Sequence, residues 1–120
     1  MPMPAEKHSG SCQCGAVAYD VTVDLSSTIT CNCSRCRRLG VILAFAPWEQ
    51  FTLKQGEDAT TTYNFNNHVI DHKFCKTCGV QSYSRGLGPD GKAMAAVNVR
   101  CLDGVDLEAL KPKHWNGADM

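Results

Sequence analysis

The segment Phe74-Cys75-Lys76-Thr77-Cys78-Gly79-Val80 decides how this chain folds. Two cysteines three positions apart hold two corners of a metal site from one tight turn, and the glycine after them lets backbone amides point at the sulfurs. A structural tetrahedral centre needs two more ligands. Cys12-Gln13-Cys14-Gly15, a second pair followed by glycine, offers them and closes a loop over residues 15–74. Metal binding is coupled to folding in such domains, so this closure is expected to supply a major part of the folding free energy.

The third cluster, Cys31-Asn32-Cys33-Ser34-Arg35-Cys36, differs in kind, because it offers three thiolates from one local segment and no fourth nearby. Structural zinc is normally saturated by protein, whereas catalytic zinc keeps one position for water or substrate, so Cys31, Cys33 and Cys36 read as a reactive centre. Three thiolates weaken the power of zinc to acidify water but still suit exchange of a substrate thiolate. Arg35, Arg37 and Arg38 interleave with the cluster and could offset its charge or receive a substrate carboxylate; the plainer reading is a solvated face. Seven bound thiolates against two divalent ions would leave the loaded chain about three charges negative. Other readings stay open at this level: disulfides, or one zinc shared among the clusters with the remaining thiols buried. His68 and His72 are most simply strand residues with satisfied hydrogen bonds. Cys101 has no evident partner and reads as a small core residue, against a fourth ligand or a reactive thiol.

With 120 residues the chain is expected to form a single domain over 1–120, with 1–9 as a flexible N-terminal segment. Lys+Arg and Asp+Glu cancel at 12 each, so there is no basic field of the kind that binds nucleic acid or anionic membranes. The first ten residues lack the apolar stretch of a signal peptide, and the longest uncharged apolar run, Leu39 to Trp48, is far short of the roughly 20 residues of a membrane-spanning helix. A cytoplasmic location is expected. Thiols stay reduced there, which favours metal ligation over disulfides.

Between the clusters the chain reads as short strands: Ala16 to Val23, Ser27 to Thr30, Val41 to Ala46 stopped by Pro47, Phe51 to Leu53, Thr60 to Phe65, His68 to Phe74, Val80 to Arg85 and Ala93 to Val99. Turns are expected at Gln55-Gly56-Glu57-Asp58, at Asn66-Asn67 and at Gly88-Pro89-Asp90-Gly91. Only Arg37 to Gly40 and Asp106 to Leu110, the latter ended by Pro112, look helical. The sum is a mainly β fold of small twisted antiparallel sheets held by zinc.

Gly10-Ser11-Cys12-Gln13-Cys14-Gly15-Ala16-Val17, Cys31-Asn32-Cys33-Ser34-Arg35-Cys36-Arg37-Arg38, Phe74 to Val80 and Val97-Asn98-Val99-Arg100-Cys101-Leu102-Asp103 resemble, in order, the motifs of the glutathione-dependent formaldehyde-activating enzyme family, whose eukaryotic branch includes centromere protein V. The resemblance implies an Mss4-like fold and two zinc ions. One would be structural, on Cys12, Cys14, Cys75 and Cys78; the other, on Cys31, Cys33 and Cys36, would have an open position. It also implies a carbon–sulfur lyase that condenses formaldehyde with glutathione to S-(hydroxymethyl)glutathione, with a small-molecule thiol and an aldehyde as partners. Two other functions compete: a non-catalytic zinc-stabilised binding module, and a thiol redox enzyme built on Cys101, since B-type methionine sulfoxide reductases join a four-cysteine zinc to a separate reactive cysteine.

Overall fold

The computed structural model describes residues 6–64, 70–88 and 90–116, and within them the architecture is mainly β. Ten strands form two sheets. β1 (Glu6–Ser11), β2 (Ala18–Val23) and β5 (Phe51–Gln55) make a three-stranded antiparallel sheet in the order β1-β2-β5. The larger sheet has the order β10-β3-β4-β9-β8-β7-β6. Its strands are β3 (Ile29–Cys31), β4 (Leu43–Pro47), β6 (Thr60–Tyr63), β7 (Asp71–Cys75), β8 (Gln81–Leu87), β9 (Ala93–Asn98) and β10 (Lys113–Trp115). All its pairings are antiparallel except that of β10 with β3.

The two sheets meet through alternating apolar positions, as period-2 patterning requires. Tyr19, Val21 and Val23 of β2 are buried, and so are Ala44 and Ala46 of β4 and Ala95 and Val97 of β9. Tyr19, Phe51 and Tyr83 join them at the centre, with ring centroids 4.9 Å apart for Tyr19–Phe51 and 4.6 Å for Phe51–Tyr83. The buried Tyr19 hydroxyl donates to the Ser82 carbonyl at 3.1 Å, which ties the small sheet to β8.

Several elements depart from the sequence expectations. Residues 6–9 fall in the segment expected to be flexible, yet they belong to β1 and pair with β2 from Glu6↔Val23 to Ser11↔Ala18. Composition hides this strand, because Glu6-Lys7-His8-Ser9 has little strand propensity. Cross-strand contacts supply what propensity does not: Ser9 Oγ donates to Asp20 Oδ1 at 2.7 Å, and Lys7 Nζ lies 3.5 Å from Asp20 Oδ2. Gly10 sits beneath the Tyr19 ring, where a Cβ would come within 2.8 Å of it. Ser27, expected to open a strand to Thr30, instead ends a short 3-10 turn over Leu25–Ser27, in which the Asp24 carboxylate caps the Ser26 amide at 2.9 Å, and β3 starts only at Ile29. Asp106 to Leu110 reduces to a 3-10 turn over Leu107–Ala109. The helical turn expected near Arg37 is α1 (Cys36–Leu39), closed by Gly40 in the left-handed region. Thr60–Tyr63 and Asp71–Cys75 pair as expected, while the Asn66-Asn67 turn, His68 and Pro89 lie outside the described residues.

Candidate metal and thiol site

Both glycine-followed cysteine pairs sit at strand ends and adopt the same local geometry. The Cys12 amide donates to the Val17 carbonyl at 3.0 Å and the Cys75 amide to the Val80 carbonyl at 3.1 Å, so each pair caps a small hairpin. Gly15 and Gly79 turn the chain with φ of 84° and 78°, a region that a side chain with a Cβ enters only at a cost. The folded sheets then bring the two pairs together. Cys14 Sγ lies 3.7 Å from Cys12 Sγ and 3.6 Å from Cys75 Sγ, and the four sulfurs of Cys12, Cys14, Cys75 and Cys78 lie within 4.8 Å of one another.

These separations fit a metal ion and exclude a disulfide. Four sulfurs about 2.3 Å from a tetrahedral zinc are about 3.8 Å apart along each edge, whereas bonded sulfurs are about 2.05 Å apart. All eight cysteines are free. Amides aim at the sulfurs: Val17 N–H donates to Cys12 Sγ at 3.4 Å, and Thr77 and Cys78 N–H donate to Cys75 Sγ at 3.3 and 3.5 Å. Amide donors from Val80 and Cys14 bring the Cys78 thiol down to about 6, whereas Cys14 is pushed up to about 11. At Cys14 the amide of Ala16 favours the thiolate, but the Cys75 thiol, burial and the other two thiols outweigh it. Four sulfurs this close cannot all ionise alone, and a bound cation removes that conflict by displacing the remaining protons.

The second cluster is local. Cys31 ends β3, Cys36 begins α1, and Cys33 lies in the turn between them. Their sulfurs lie within 4.8 Å of one another, and among the described residues no fourth cysteine, histidine, aspartate or glutamate joins them. Amides again serve the sulfurs, with Cys33 N–H donating to Cys31 Sγ at 3.4 Å and Cys36 N–H to Cys33 Sγ at 3.3 Å. Burial opposes ionisation of Cys33, but the Cys36 and Arg35 amides and the neighbouring thiols prevail and hold its thiol below the ordinary value. Cys36 is pushed well up, first by burial and then by Cys33 and Cys31.

The three arginines have different fates. Arg35 turns inward, where its Nε donates to Gln81 Oε1 at 3.0 Å, Nη2 donates to the same oxygen, and the guanidinium lies 4.8 Å from the Tyr63 ring centroid. Arg38 is exposed and its Nη1 donates to the Ser34 carbonyl at 2.7 Å. Arg37 is exposed and stays clear of the cleft of about 420 Å³ that Ser34, Arg35, Arg38, Leu39 and Tyr63 line beside the cluster.

A buried polar row beyond Arg35 escaped the sequence reading. A register shift opposite Lys73/Phe74 makes Ser82 an extra residue in β8, and with it Gln81 Nε2 donates to Ser84 Oγ at 3.2 Å. Ser84 Oγ in turn lies 3.3 Å from His72 Nδ1. Gln81, Ser84 and His72 are all buried. Burial first, and then the Arg35 charge, lower His72 to about 4 against the opposing pull of Asp71, so the imidazole is neutral near pH 7. This matches the reading of His72 as a hydrogen-bonded strand residue. The available signal was the polar run Gln81-Ser82-Tyr83-Ser84 in a strand directly after a metal turn. Cys101 joins neither cluster: its thiol lies 3.9 Å from the Gln81 carbonyl, and burial pushes its pKa up, which suits a packed thiol and disfavours a nucleophile.

The model of the family described as "Glutathione-dependent formaldehyde-activating enzyme" matches residues 7–116. Among solved structures, the crystal structure of a Rhodobacter sphaeroides protein is similar, with a TM-score of 0.80 and 32% identity over 90% of this chain and 99% of that one.

Proposed function

Since the chain belongs to the glutathione-dependent formaldehyde-activating enzyme family, we propose that it is a zinc-dependent carbon–sulfur lyase-type enzyme acting on thiol/aldehyde adducts of the S-(hydroxymethyl)glutathione kind. One observation carries the reading: Cys31, Cys33 and Cys36 converge without a fourth protein ligand among the described residues, beside a cleft lined by two arginines. Cys12, Cys14, Cys75 and Cys78 hold a structural zinc, and Cys31, Cys33 and Cys36 hold a second. When bound there, zinc lowers the pKa of an incoming thiol and orients its sulfur, the two quantities that limit thiolate addition.

The chain's own residues supply the rest. Arg38, exposed at the cleft, and Arg35, fixed at its wall, meet a substrate carboxylate, while Arg37 adds positive potential from outside. The thiol sulfur adds to the aldehyde carbon, the carbonyl electron pair moves to oxygen, and the proton lost by the thiol is made up at that oxygen. The reverse breaks the carbon–sulfur bond. A reducing, cytoplasmic setting keeps the seven clustered thiols free for these roles. With Lys+Arg and Asp+Glu balanced, the partners in this reading are small molecules and not nucleic acid or membrane.

The test is the exchange rate between formaldehyde plus glutathione and S-(hydroxymethyl)glutathione, followed by magnetisation-transfer NMR with zinc-loaded protein. The expected result is acceleration over the uncatalysed reaction, lost in Cys36→Ala while the fold persists. A rate equal to the uncatalysed one with both metals bound would leave the zinc-stabilised binding module as the function.

A further inference from the structure

The arrangement of Arg35 goes further than a charge near the cleft. Its guanidinium has five N–H donors in a planar fork. The edge formed by Nε and Nη2 is taken by a single oxygen, Gln81 Oε1, and the Tyr63 ring lies against the guanidinium. Nη1 makes no hydrogen bond among the described residues, and no carboxylate there lies within 4.0 Å of the group. The anchor is also neutral. A glutamate at position 81 would hold the same edge but cancel the charge, whereas the glutamine carboxamide holds it and leaves the charge intact. Gln81 is itself buried and held by its bond to Ser84, and Ser84 by His72, so the row fixes the anchor from behind. The neighbouring imidazole is kept uncharged and does not compete for an anion.

We infer that Gln81 is a positioning residue which locks Arg35 with its outer N–H groups toward the cleft, so that the site selects thiols that carry a carboxylate over neutral thiols of the same size. The inference rests on the reading of Cys31, Cys33 and Cys36 as a thiol-accepting centre. It names the substrate class, an acidic thiol, and the residue that enforces it. Tyr63 restrains Arg35 from the other side.

Cobalt-loaded protein tests it, because thiolate-to-cobalt absorption reports each thiol that reaches the metal independently of turnover. The probes are 3-mercaptopropionate and 2-mercaptoethanol, similar in size and differing in the carboxylate. The wild-type protein should bind the acidic thiol about tenfold more tightly, as one charge-assisted hydrogen bond at a partly exposed site provides. Gln81→Glu should bring the two affinities together by weakening the acidic thiol alone. Arg35→Lys, which keeps the charge but has no fork, should do the same and serves if the buried Gln81 variant does not fold. Equal wild-type affinities, or a preference that survives in both variants, would overturn the inference while leaving thiol binding in place. Equal weakening of both thiols would also overturn it, since Arg35 would then serve only to balance the charge of the cysteine cluster. A spectrum that responds to neither thiol overturns instead the functional reading on which the inference rests.

Discussion

Replacing Cys75 should destabilise the protein far more than replacing Cys33, and the difference can be worked from chain connectivity. The four-cysteine centre joins Cys14 to Cys75, 61 positions apart, and the Cys75 side chain is almost fully buried. The three-cysteine centre spans only Cys31 to Cys36, and all three of its thiols are partly exposed. A covalent cross-link over a loop of about 60 residues removes about 4 kcal/mol of unfolded-state entropy, whereas one over about six residues removes about 2 kcal/mol. A metal cross-link acts through the same chain statistics. Against a total stability of about 5–15 kcal/mol, loss of the long closure is a large fraction and loss of the short one a modest fraction. In Cys75→Ser the sulfurs of Cys12, which is buried, and of Cys14 and Cys78 would also be left as an incomplete set of ligands, which adds to the loss. The assay is urea and thermal unfolding of both serine variants, with zinc content measured on the same samples. Cys75→Ser should lose about 4 kcal/mol or more, or be largely unfolded, while Cys33→Ser should lose about 2 kcal/mol or less and remain folded. Equal losses in the two variants, or a Cys75→Ser protein with wild-type stability, would refute the assignment of the long closure to the metal.

Limiting chelator should remove one equivalent of zinc with the near-ultraviolet circular dichroism spectrum unchanged, because the partly exposed local cluster opens without unfolding the sheets; unfolding in step with the first equivalent would show that both centres are structural. Burial holds His72 at about 4 against an ordinary 6.5, so the unfolded chain binds the extra proton between those values. The stability from His72 is therefore full above pH 6.5 and is lost as pH falls toward 4. His72→Gln should flatten this part of the stability–pH curve relative to wild type at equal zinc content, and two curves of the same slope would show that His72 does not titrate with folding.

Much of the metal chemistry was legible because it is written in contiguous residues. Cys75-Lys76-Thr77-Cys78-Gly79 and Cys12-Gln13-Cys14-Gly15 each dictate a turn with two thiols on one side, and the structure builds both turns and joins them. Cys31, Cys33 and Cys36 converge for the same local reason, with Gly40 closing the helical turn that carries Cys36. The alternation of Tyr19, Val21 and Val23 likewise marks the buried face of β2. By contrast, β1 and β10 have polar sequences and become strands only because another strand's edge accepts them.

What the sequence determined alone is the identity of the thiol clusters and the turn that each one makes, since ligand spacing over a few residues is governed by local backbone geometry. What only the tertiary structure decided is the meeting of Cys14 and Cys75 across 61 positions and the surroundings of the triad. Gln81 and Ser84 are an odd number of positions apart, so a regular strand would place them on opposite faces. The extra residue at Ser82 restores them to one side, where they bond to each other and, through Arg35 and His72, link the cysteine loop to β7. The direction of Arg35 follows from that link, because a guanidinium takes its direction from the partners that hold it, and Gln81 reaches Arg35 across 46 positions of sequence.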